Sequence, residues 1–224
     1  MADDLPGWNE AMDTQPKRKT KKTPQKREDQ VQERRQSLLE AAVKVIGSRG
    51  LTGITISTIA AEANCSYGVV AFHFKSKDGI IFAALDHMAE EYETFLTKNN
   101  QLDLTPGERI RRMIESDFDG KISNAKRISV WIAYWAEAVR VSKYRARLAE
   151  LKEYYFTTTR DDIDMLAKAR GIEVDAAQIS RSLNAMIDGY WITNLVMATA
   201  GKEGQGQAKE ACFAYMRCFF PDDF

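Results

Sequence analysis

Aromatic side chains recur at helical spacing in one stretch of the C-terminal half of the chain, and in a second stretch a tryptophan shares a helix face with a carboxylate and an amide. Side chains three or four positions apart share one face of a helix. The first set is Trp131, Tyr134 and Trp135, and the second is Asp188, Trp191 and Asn194. Aromatic rings together with a negative charge attract a quaternary or alkyl ammonium by cation–π and Coulomb interactions. If the two faces meet, they would form a pocket for such an ammonium.

The same spacing has a plainer interpretation, because an aromatic stripe on a helix is usually part of an ordinary core. Two other carboxylates, Glu137 and Asp117, compete with Asp188 for the role of the charge in this pocket. The sequence does not rank these three carboxylates, and both interpretations of the aromatic stripe stay open.

A second group of candidate residues lies in two short helical patterns separated by a polar turn. The first pattern has one apolar face, made of Ile56, Ile59, Ala60 and Ala63. Asn64 tolerates the left-handed conformation that ends a helix, and Ser66 is suited to cap the next one. The second helix is predicted at residues 67–74, with Val70 and Phe74 facing inward. A helix, a tight turn and a second short helix form a helix-turn-helix, whose second helix fits the DNA major groove.

This segment resembles the DNA-binding domain of TetR-family transcriptional regulators. The residues that carry the resemblance stand at fixed spacing: Thr55, Ile59, Ala60, Ala63, Ser66, Gly68, Val70, Phe74, Lys77 and Ile80. The sequence departs from the family pattern at Asn64 and Cys65, where Gly-Val is usual. It also departs at Ala71, where a tyrosine usually contacts the DNA backbone.

DNA contacts are predicted for the polar and outward-facing residues of this segment: Thr55, Ser57, Ser66, Tyr67, Val69, Phe72, His73 and Lys77. A hydroxyl and backbone N–H groups at the start of a helix bind phosphate. Tyr67, Val69 and Phe72 would meet base edges or thymine methyl groups. His73 and Lys77 are expected to contact phosphates.

Positive charge is concentrated around this motif, although the 224-residue chain has a formal net charge of zero. Residues 17–77 carry 13 basic and 5 acidic side chains, a net charge of +8, whereas residues 1–16 and 78–224 each carry −4. Such an asymmetry is typical of a DNA-binding module on an acidic body. Residues 1–27 are predicted to be a disordered basic arm that lies along phosphates or in a minor groove. The alternative is a solvated tail.

The composition argues against several other classes of protein. No apolar run is long enough to span a membrane, and the first residues lack the pattern of a signal peptide, so a cytoplasmic protein is expected. Three cysteines, Cys65, Cys212 and Cys218, match no metal or disulfide spacing and are expected to be buried or half-buried thiols. A redox switch at Cys65 is the alternative. The two histidines, His73 and His87, belong to no catalytic or metal-binding pattern, so no enzyme, cofactor or metal is predicted.

The remaining apolar periodicity predicts an all-α protein of about nine helices, with no strand pattern. Beside residues 67–74 and the apolar stripe before them, helices are expected at residues 28–48, 78–98, 108–119, 126–141, 144–170, 175–200 and 208–219. Val31 is expected in the buried stripe of the first of these, and Gly171 is expected to cap the helix at 144–170. The segment KEGQGQ before the last helix is interpreted as a flexible hinge. The domains are predicted as the arm (1–27), a helix-turn-helix domain (28–77) and a ligand-binding and dimerisation domain (78–224).

A second resemblance covers this last domain. The segments WIAYWAEAVRVSKYRARLAELKEYY and AMIDGYWITNLV are similar to the ligand domain of BetI-type repressors, the choline-responsive branch of the TetR family, and Ala71 is a small residue as in that branch. The resemblance implies a homodimer built from the last two helices. The apolar stripes of these two helices are expected to be buried in that interface: Ile179, Leu183, Met186, Tyr190, Ala208, Ala211, Tyr215, Met216 and Phe219.

The expected function is therefore a ligand-responsive transcriptional regulator. It would act as a repressor, bind an inverted-repeat operator in double-stranded DNA as a dimer, and be released by a small-molecule effector such as a quaternary or alkyl amine. A ligand-independent architectural DNA-binding protein is the alternative from another class. The long aromatic C-terminal region argues against it, because non-specific DNA binding requires no such domain.

Overall fold

The computed structural model describes residues 24–120, 122–199 and 201–224, and these residues form nine α-helices and no strand. The helices are α1 (Pro24–Arg49), α2 (Ile56–Glu62), α3 (Tyr67–Phe74), α4 (Lys77–Asn100), α5 (Pro106–Asp117), α6 (Ala125–Ala138), α7 (Ser142–Arg170), α8 (Ala176–Val196) and α9 (Lys202–Arg217). The predicted all-α fold is confirmed. None of the helices in the described ranges is long and apolar enough to cross a membrane.

The N-terminal part of the chain differs from the prediction. Helix α1 begins at Pro24, four residues before the predicted start, because proline is well suited to the first position of a helix. Val31, predicted to be buried, is 46% exposed. The rest of the predicted basic arm, residues 1–23, lies outside the described residues. The chain divides into two compact units at residues 1–34 and 35–224, and the proposed division at residue 77 remains a prediction.

The helix-turn-helix forms as the local sequence predicts. Thr55 caps α2, and a reciprocal pair of hydrogen bonds between Thr55 and Thr58 closes the first turn. Asn64 adopts φ 48°, the left-handed conformation that turns the chain toward α3. On α3, Val70 and Phe74 are buried as predicted. Ser66 takes the N-cap position of α3, but its side chain makes no capping hydrogen bond.

Helix α7 organises the C-terminal part of the chain, because it packs against α4, α5, α6 and α8. Its apolar residues Leu148, Leu151, Ile163 and Leu166 are buried. Gly171 ends the helix with φ 66°, the left-handed C-cap predicted for it. Side chains from the four helices that pack against α7 are therefore brought close to one another.

The predicted dimer stripes are partly used inside the chain itself. Ile179, Leu183, Ala208 and Met216 are at most 3% exposed and belong to the chain's own core. The large apolar side chains that α8 exposes lie elsewhere, at Ile192 and Val196. A stripe drawn at helical spacing marks one apolar face, but it does not say which neighbour covers that face.

The segment KEGQGQ is helical, so the prediction of a flexible hinge is wrong. Helix α8 ends at Val196, Gly201 is the N-cap of α9, and these six residues form its first turns. Gly204 is buried, and a Cβ placed on it would lie 2.0 Å from the carbonyl oxygen of Thr199. The carbonyl of Gly204 also accepts a hydrogen bond from the Asn194 amide. The glycine thus permits close packing between the α8–α9 connection and α9.

Replacing Gly204 with alanine should therefore destabilise the protein, by about 1–3 kcal/mol for an overpacked site. Gly206→Ala is the matched control, because it lies two residues further along the same helix and a Cβ added there would have no neighbour within 4 Å. Since alanine favours helices, the control should be neutral or stabilise by up to about 1 kcal/mol. Urea unfolding of the two variants measures both effects, and equal stability would contradict the packing role of Gly204.

Candidate functional site

The predicted DNA-contact residues lie on α2, on α3 and at the start of α4. Of the eight residues, six are exposed, and Val69 and His73 are half-buried. Two aromatic rings stand out, because Tyr67 is 58% and Phe72 is 75% exposed on a helix of only eight residues. Neighbouring large apolar groups at a surface indicate an interaction site. The inward side of the same helix is held in the core by Val70 and Phe74.

A separate cavity of about 40 Å³ lies between α4, α5, α6, α7 and α8 in the C-terminal part of the chain. Five aromatic side chains line it: Tyr92, Trp131, Trp135, Tyr155 and Trp191. The other lining residues are Asp117, Leu148, Leu151, Lys152, Asn184, Ile187 and Asp188. The rings of Trp135 and Trp191 stack with planes within 8° and centroids 6.5 Å apart. The two predicted faces, on α6 and α8, therefore meet.

Asp117, the last residue of α5, supplies a buried carboxylate to the cavity and is 1% exposed. Tyr155 donates a hydrogen bond to one carboxylate oxygen at 2.6 Å, and Tyr92 donates to the other. The Trp191 indole N–H donates to the backbone carbonyl of Asp117 at 2.8 Å. A buried carboxylate is tolerated when hydrogen bonds replace its hydration, and here α4 and α7 supply the two donors to the carboxylate, while α8 supplies the donor to the backbone carbonyl.

The electrostatics of the cavity follow from this burial. Burial raises the pKa of Asp117 to about 7, although the hydrogen bonds from Tyr155 and Tyr92 and the charge of Lys152 oppose the shift. Burial also raises the pKa of both tyrosines well above the usual value, so they stay protonated and donate. A cation that enters the cavity would favour the ionised form of Asp117.

Asp188, the carboxylate predicted for this pocket, is already paired. The Lys152 ammonium donates to both carboxylate oxygens of Asp188 at 2.6 Å. The same ammonium lies 5.3 Å from the centroid of the Trp135 ring. Of the three carboxylates considered from the sequence, Asp117 is buried in the cavity, Asp188 lies in an ion pair, and Glu137 pairs with Arg140.

Two of the six predicted ligand-binding residues do not line this cavity. The Tyr134 hydroxyl donates to the carbonyl of Ile81 on α4 at 2.6 Å. Asn194 is buried and donates to Gly204, as described above. Each residue of a helix turns by about 100°, so Tyr134 is rotated away from the direction shared by Trp131 and Trp135. Asn194 is displaced from the cavity side of α8 for the same reason.

Sequence reasoning misses Tyr92, Tyr155 and Lys152 as cavity residues. Both tyrosines fit apolar core stripes at helical spacing, and nothing in that spacing separates a core role from a cavity role. Lys152 does leave a signal, because it interrupts an otherwise apolar face of α7 formed with Leu148 and Leu151. A charge at such a position has to find a partner within the core or at its edge.

The three thiols differ in exposure. Cys65 is half-buried and Cys212 is buried, as expected, but Cys218 is exposed. Burial raises the pKa of the Cys212 thiol to about 12, with the nearby Asp117 charge contributing, so it stays protonated. The redox alternative for Cys65 stays a hypothesis.

Comparison with known protein families decides the identity of the fold. Residues 38–84 match bacterial regulatory proteins of the TetR family, and residues 106–220 match the C-terminal domain of BetI-type transcriptional repressors. The chain belongs to the TetR family of transcriptional regulators. Both resemblances drawn from the sequence are thereby confirmed. The family and its named relatives are regulators and not enzymes, and TetR regulators bind DNA operators and small-molecule effectors.

Curated relatives of this TetR-family regulator carry the name HTH-type transcriptional regulator BetI. The protein from Burkholderia ambifaria is 29% identical over 162 residues, which covers 71% of this chain and 80% of that protein. The protein from Paraburkholderia phytofirmans is 27% identical over a segment of the same length and coverage.

Solved structures share the fold of this regulator at lower identity. A transcriptional regulator from Saccharomonospora viridis, in complex with choline, is 24% identical with a TM-score of 0.72, covering 83% of this chain and 96% of that chain. FadR from Bacillus subtilis, in complex with stearoyl-CoA, is 17% identical with a TM-score of 0.66, covering 80% and 96%.

The buried carboxylate predicts a pH dependence of stability. The pKa of Asp117 is about 7 in the folded chain but about 3.8 in its ordinary state. The folded chain therefore holds this proton more tightly. The resulting stabilisation is full below about pH 4 and is lost as the pH rises through about 7. Relative to Asp117→Asn, the wild-type free energy of unfolding should fall over this window by up to about 1.4 kcal/mol per pH unit.

Urea unfolding at a series of pH values measures this slope. Asp161→Asn is the matched control for the loss of one carboxylate, because Asp161 is exposed on α7. If wild type and Asp117→Asn change in stability in parallel across the same window, the carboxyl of Asp117 titrates as it does in water and the assignment of its pKa is wrong.

Proposed function

We propose that this regulator is a repressor that binds its operator as a dimer and is released when a small quaternary or alkyl ammonium enters the aromatic cavity. The observation that carries the proposal is the set of five aromatic side chains around the buried carboxylate of Asp117. Such a protein acts where the DNA is, in the cytoplasm.

DNA recognition is assigned to α3 and to the residues around it. Tyr67 and Phe72 present exposed rings, and Val69 lies half-buried between them in sequence, so these three are the proposed base contacts. The Ser66 hydroxyl makes no capping hydrogen bond, which supports a role in binding phosphate. Thr55, Ser57, His73 and Lys77 complete the proposed contacts. The basic residues before residue 24 would add salt-dependent attraction to the DNA backbone.

A homodimer through α8 and α9 is proposed together with this recognition. The exposed apolar residues Ile192 and Val196 on α8, and the half-buried Tyr215 and Phe219 at the end of the chain, support it. Ile192 and Val196 replace the buried members of the predicted apolar stripes, whereas Tyr215 and Phe219 were already part of them. A two-fold axis requires an operator made of two inverted half-sites.

The proposed effector carries an ammonium group. Aromatic faces hold ammonium ions with about 0.5–2 kcal/mol per contact, and Asp117 adds a negative charge to the cavity. The regulator from Saccharomonospora viridis, which shares the fold, was solved with choline, and the named relatives are BetI proteins. These comparisons favour a choline-like ligand over the acyl-CoA that FadR holds in its structure.

Helix α4 is the proposed connection between effector and operator. Its residue Tyr92 lines the cavity, while its first residue, Lys77, is one of the proposed DNA contacts. A shift of α4 would move the two recognition helices of a dimer out of register with successive major grooves. Linkage requires the effector to bind the DNA-free form better by the same factor by which it weakens DNA binding. A tenfold release needs about 1.4 kcal/mol.

Two substitutions test the orientation of the recognition helix. Lys77→Ala should weaken all operator sequences alike and reduce the salt dependence of binding by about one phosphate contact. Tyr67→Ala should also change the sequence preference, because base contacts specify. Lys98→Ala removes a lysine at the other end of α4 and should change neither property. Gel shifts on operators selected from random duplexes provide the measurement, and wild-type behaviour of both variants would show that another face reads the DNA.

The effector assignment is tested by two titrations with choline, betaine aldehyde and simple amines. One follows tryptophan fluorescence and the other follows release of a labelled operator. An ammonium that binds in the cavity should quench fluorescence and release DNA, and Trp135→Ala and Trp191→Ala should weaken both effects about tenfold or more. Phe82→Ala is the control, since Phe82 is an aromatic residue of α4 outside the cavity lining. Release that survives unchanged in both tryptophan variants would place the effector elsewhere.

A further inference from the structure

Lys152 introduces an ammonium into the lining of a cavity that otherwise has the features of an ammonium site. It projects from α7, and its Nζ donates to both carboxylate oxygens of Asp188 on α8. It also approaches the Trp135 ring, with Nζ 5.3 Å from the centroid. The side chain thus makes the two interactions that a bound ammonium would make, one with a carboxylate and one with an aromatic ring.

The cavity is small compared with an alkylated ammonium ion. A cavity needs about 10–15 Å³ to hold one water, so about 40 Å³ provides room for about three waters. An ammonium with several alkyl groups requires more space than that. Among the lining side chains, Lys152 is the one that can most readily make room for such a ligand, because it is long, flexible and partly exposed, whereas the rings and Asp117 are held by packing and hydrogen bonds.

The ion pair of Lys152 can open at low cost. The side chains of Lys152 and Asp188 are 43% and 31% exposed, and ion pairs at such positions contribute little to stability because water screens them. The ammonium can move out into water, where a long lysine stem readily carries it. Asp188 and the Trp135 ring would then become available to a ligand.

We propose that the Lys152 ammonium is a built-in competitor of the effector, which occupies the ammonium position between Asp188 and Trp135 in the empty cavity and leaves when a cationic ligand binds. This proposal rests on the ammonium effector proposed above. It makes Lys152 a determinant of affinity, because each binding event includes the displacement of one positive charge. The effector then binds more weakly than the aromatic lining alone would allow.

The test uses tetramethylammonium chloride as the probe and the DNA-free protein at constant ionic strength. Lys152→Met keeps most of the stem and removes the charge, so the dissociation constant should fall about tenfold. Lys152→Gln should shift it in the same direction. Asp188→Asn removes the carboxylate that the ligand would take over, so it should weaken binding about tenfold. Calorimetric titration gives the constants, and circular dichroism checks that each variant is folded.

Lys143→Met is the matched control. Lys143 also lies on α7 and also places its Nζ over an aromatic ring, that of Phe82, but neither residue lines the cavity. Its substitution should leave the dissociation constant within about twofold of wild type, because a distant exposed charge is screened. If Lys143→Met and Lys152→Met increased the affinity for tetramethylammonium equally, the effect would come from the change in net charge, and the proposal would be overturned.

A second probe separates competition from the opposite role. If Lys152 instead holds an anionic end of the ligand, Lys152→Met would weaken binding of the zwitterion trimethylglycine and leave tetramethylammonium unchanged, which overturns the proposal. If Lys152→Met binds tetramethylammonium with the same dissociation constant as wild type, the competitor role of Lys152 is rejected, but the ammonium effector is not. Absence of binding by both wild type and Lys152→Met rejects the ammonium effector, and the competitor with it.

Discussion

Burying a carboxylate is costly unless donors replace its water, and two tyrosine hydroxyl groups meet this requirement at Asp117, while a tryptophan from a third helix binds the backbone carbonyl of the same residue. Tyr92 reaches it from α4, Tyr155 from α7 and Trp191 from α8, while Asp117 itself ends α5. A group that needs partners from several helices fixes their relative positions, because loss of any partner leaves a buried polar atom unsatisfied. The hydrogen bonds to Asp117 therefore set the distances between these helices, and the cavity lies among them.

The same constraint connects the cavity to the DNA-binding end of the chain. Helix α4 carries Tyr92, and it is fixed along its length by other polar contacts. The carbonyl of Ile81 accepts from Tyr134, and Arg147 on α7 binds both Asp86 and Glu93 of α4. A helix that is held by hydrogen bonds and ion pairs at several positions along its length is expected to move as a rigid unit. In the proposed release mechanism, a displacement of Tyr92 would therefore reach the first turn of α4, which directly follows α3 in the chain.

Sequence reasoning succeeds where structure is decided locally. The bounds of α3, the left-handed Asn64 and the Gly171 cap all depend on neighbours within a few residues, and each agrees with its prediction. The same reasoning fails at KEGQGQ, because a high glycine content does not by itself mean flexibility. The real reason for Gly204 is its distance from Thr199, and that contact depends on how α8 ends and the chain returns.

The candidate site could be predicted only in part, for a related reason. Helical spacing correctly placed Trp131 and Trp135 on one face of a helix, since side chains that share a face stay together whatever the face meets. The sequence left open whether this face meets Trp191 of α8. The choice between Asp117 and Asp188 depends on partners that are distant in the sequence. The carboxylate of Asp188 accepts from a lysine ammonium, and that of Asp117 accepts from two tyrosine hydroxyl groups. Spacing within a helix contains no information about either partner.

In the proposed function, helix α8 takes part in both effector binding and dimerisation. One side of it contributes Ile187, Asp188 and Trp191 to the cavity, and another side exposes Ile192 and Val196. A helix that is apolar on more than one side needs cover on each, and the described part of the chain covers only the first. A second copy of the chain is the proposed cover for the other. The effector would then bind beside a helix whose other side is held by the partner subunit. A displacement of α8 would therefore be directed toward α4 and α7.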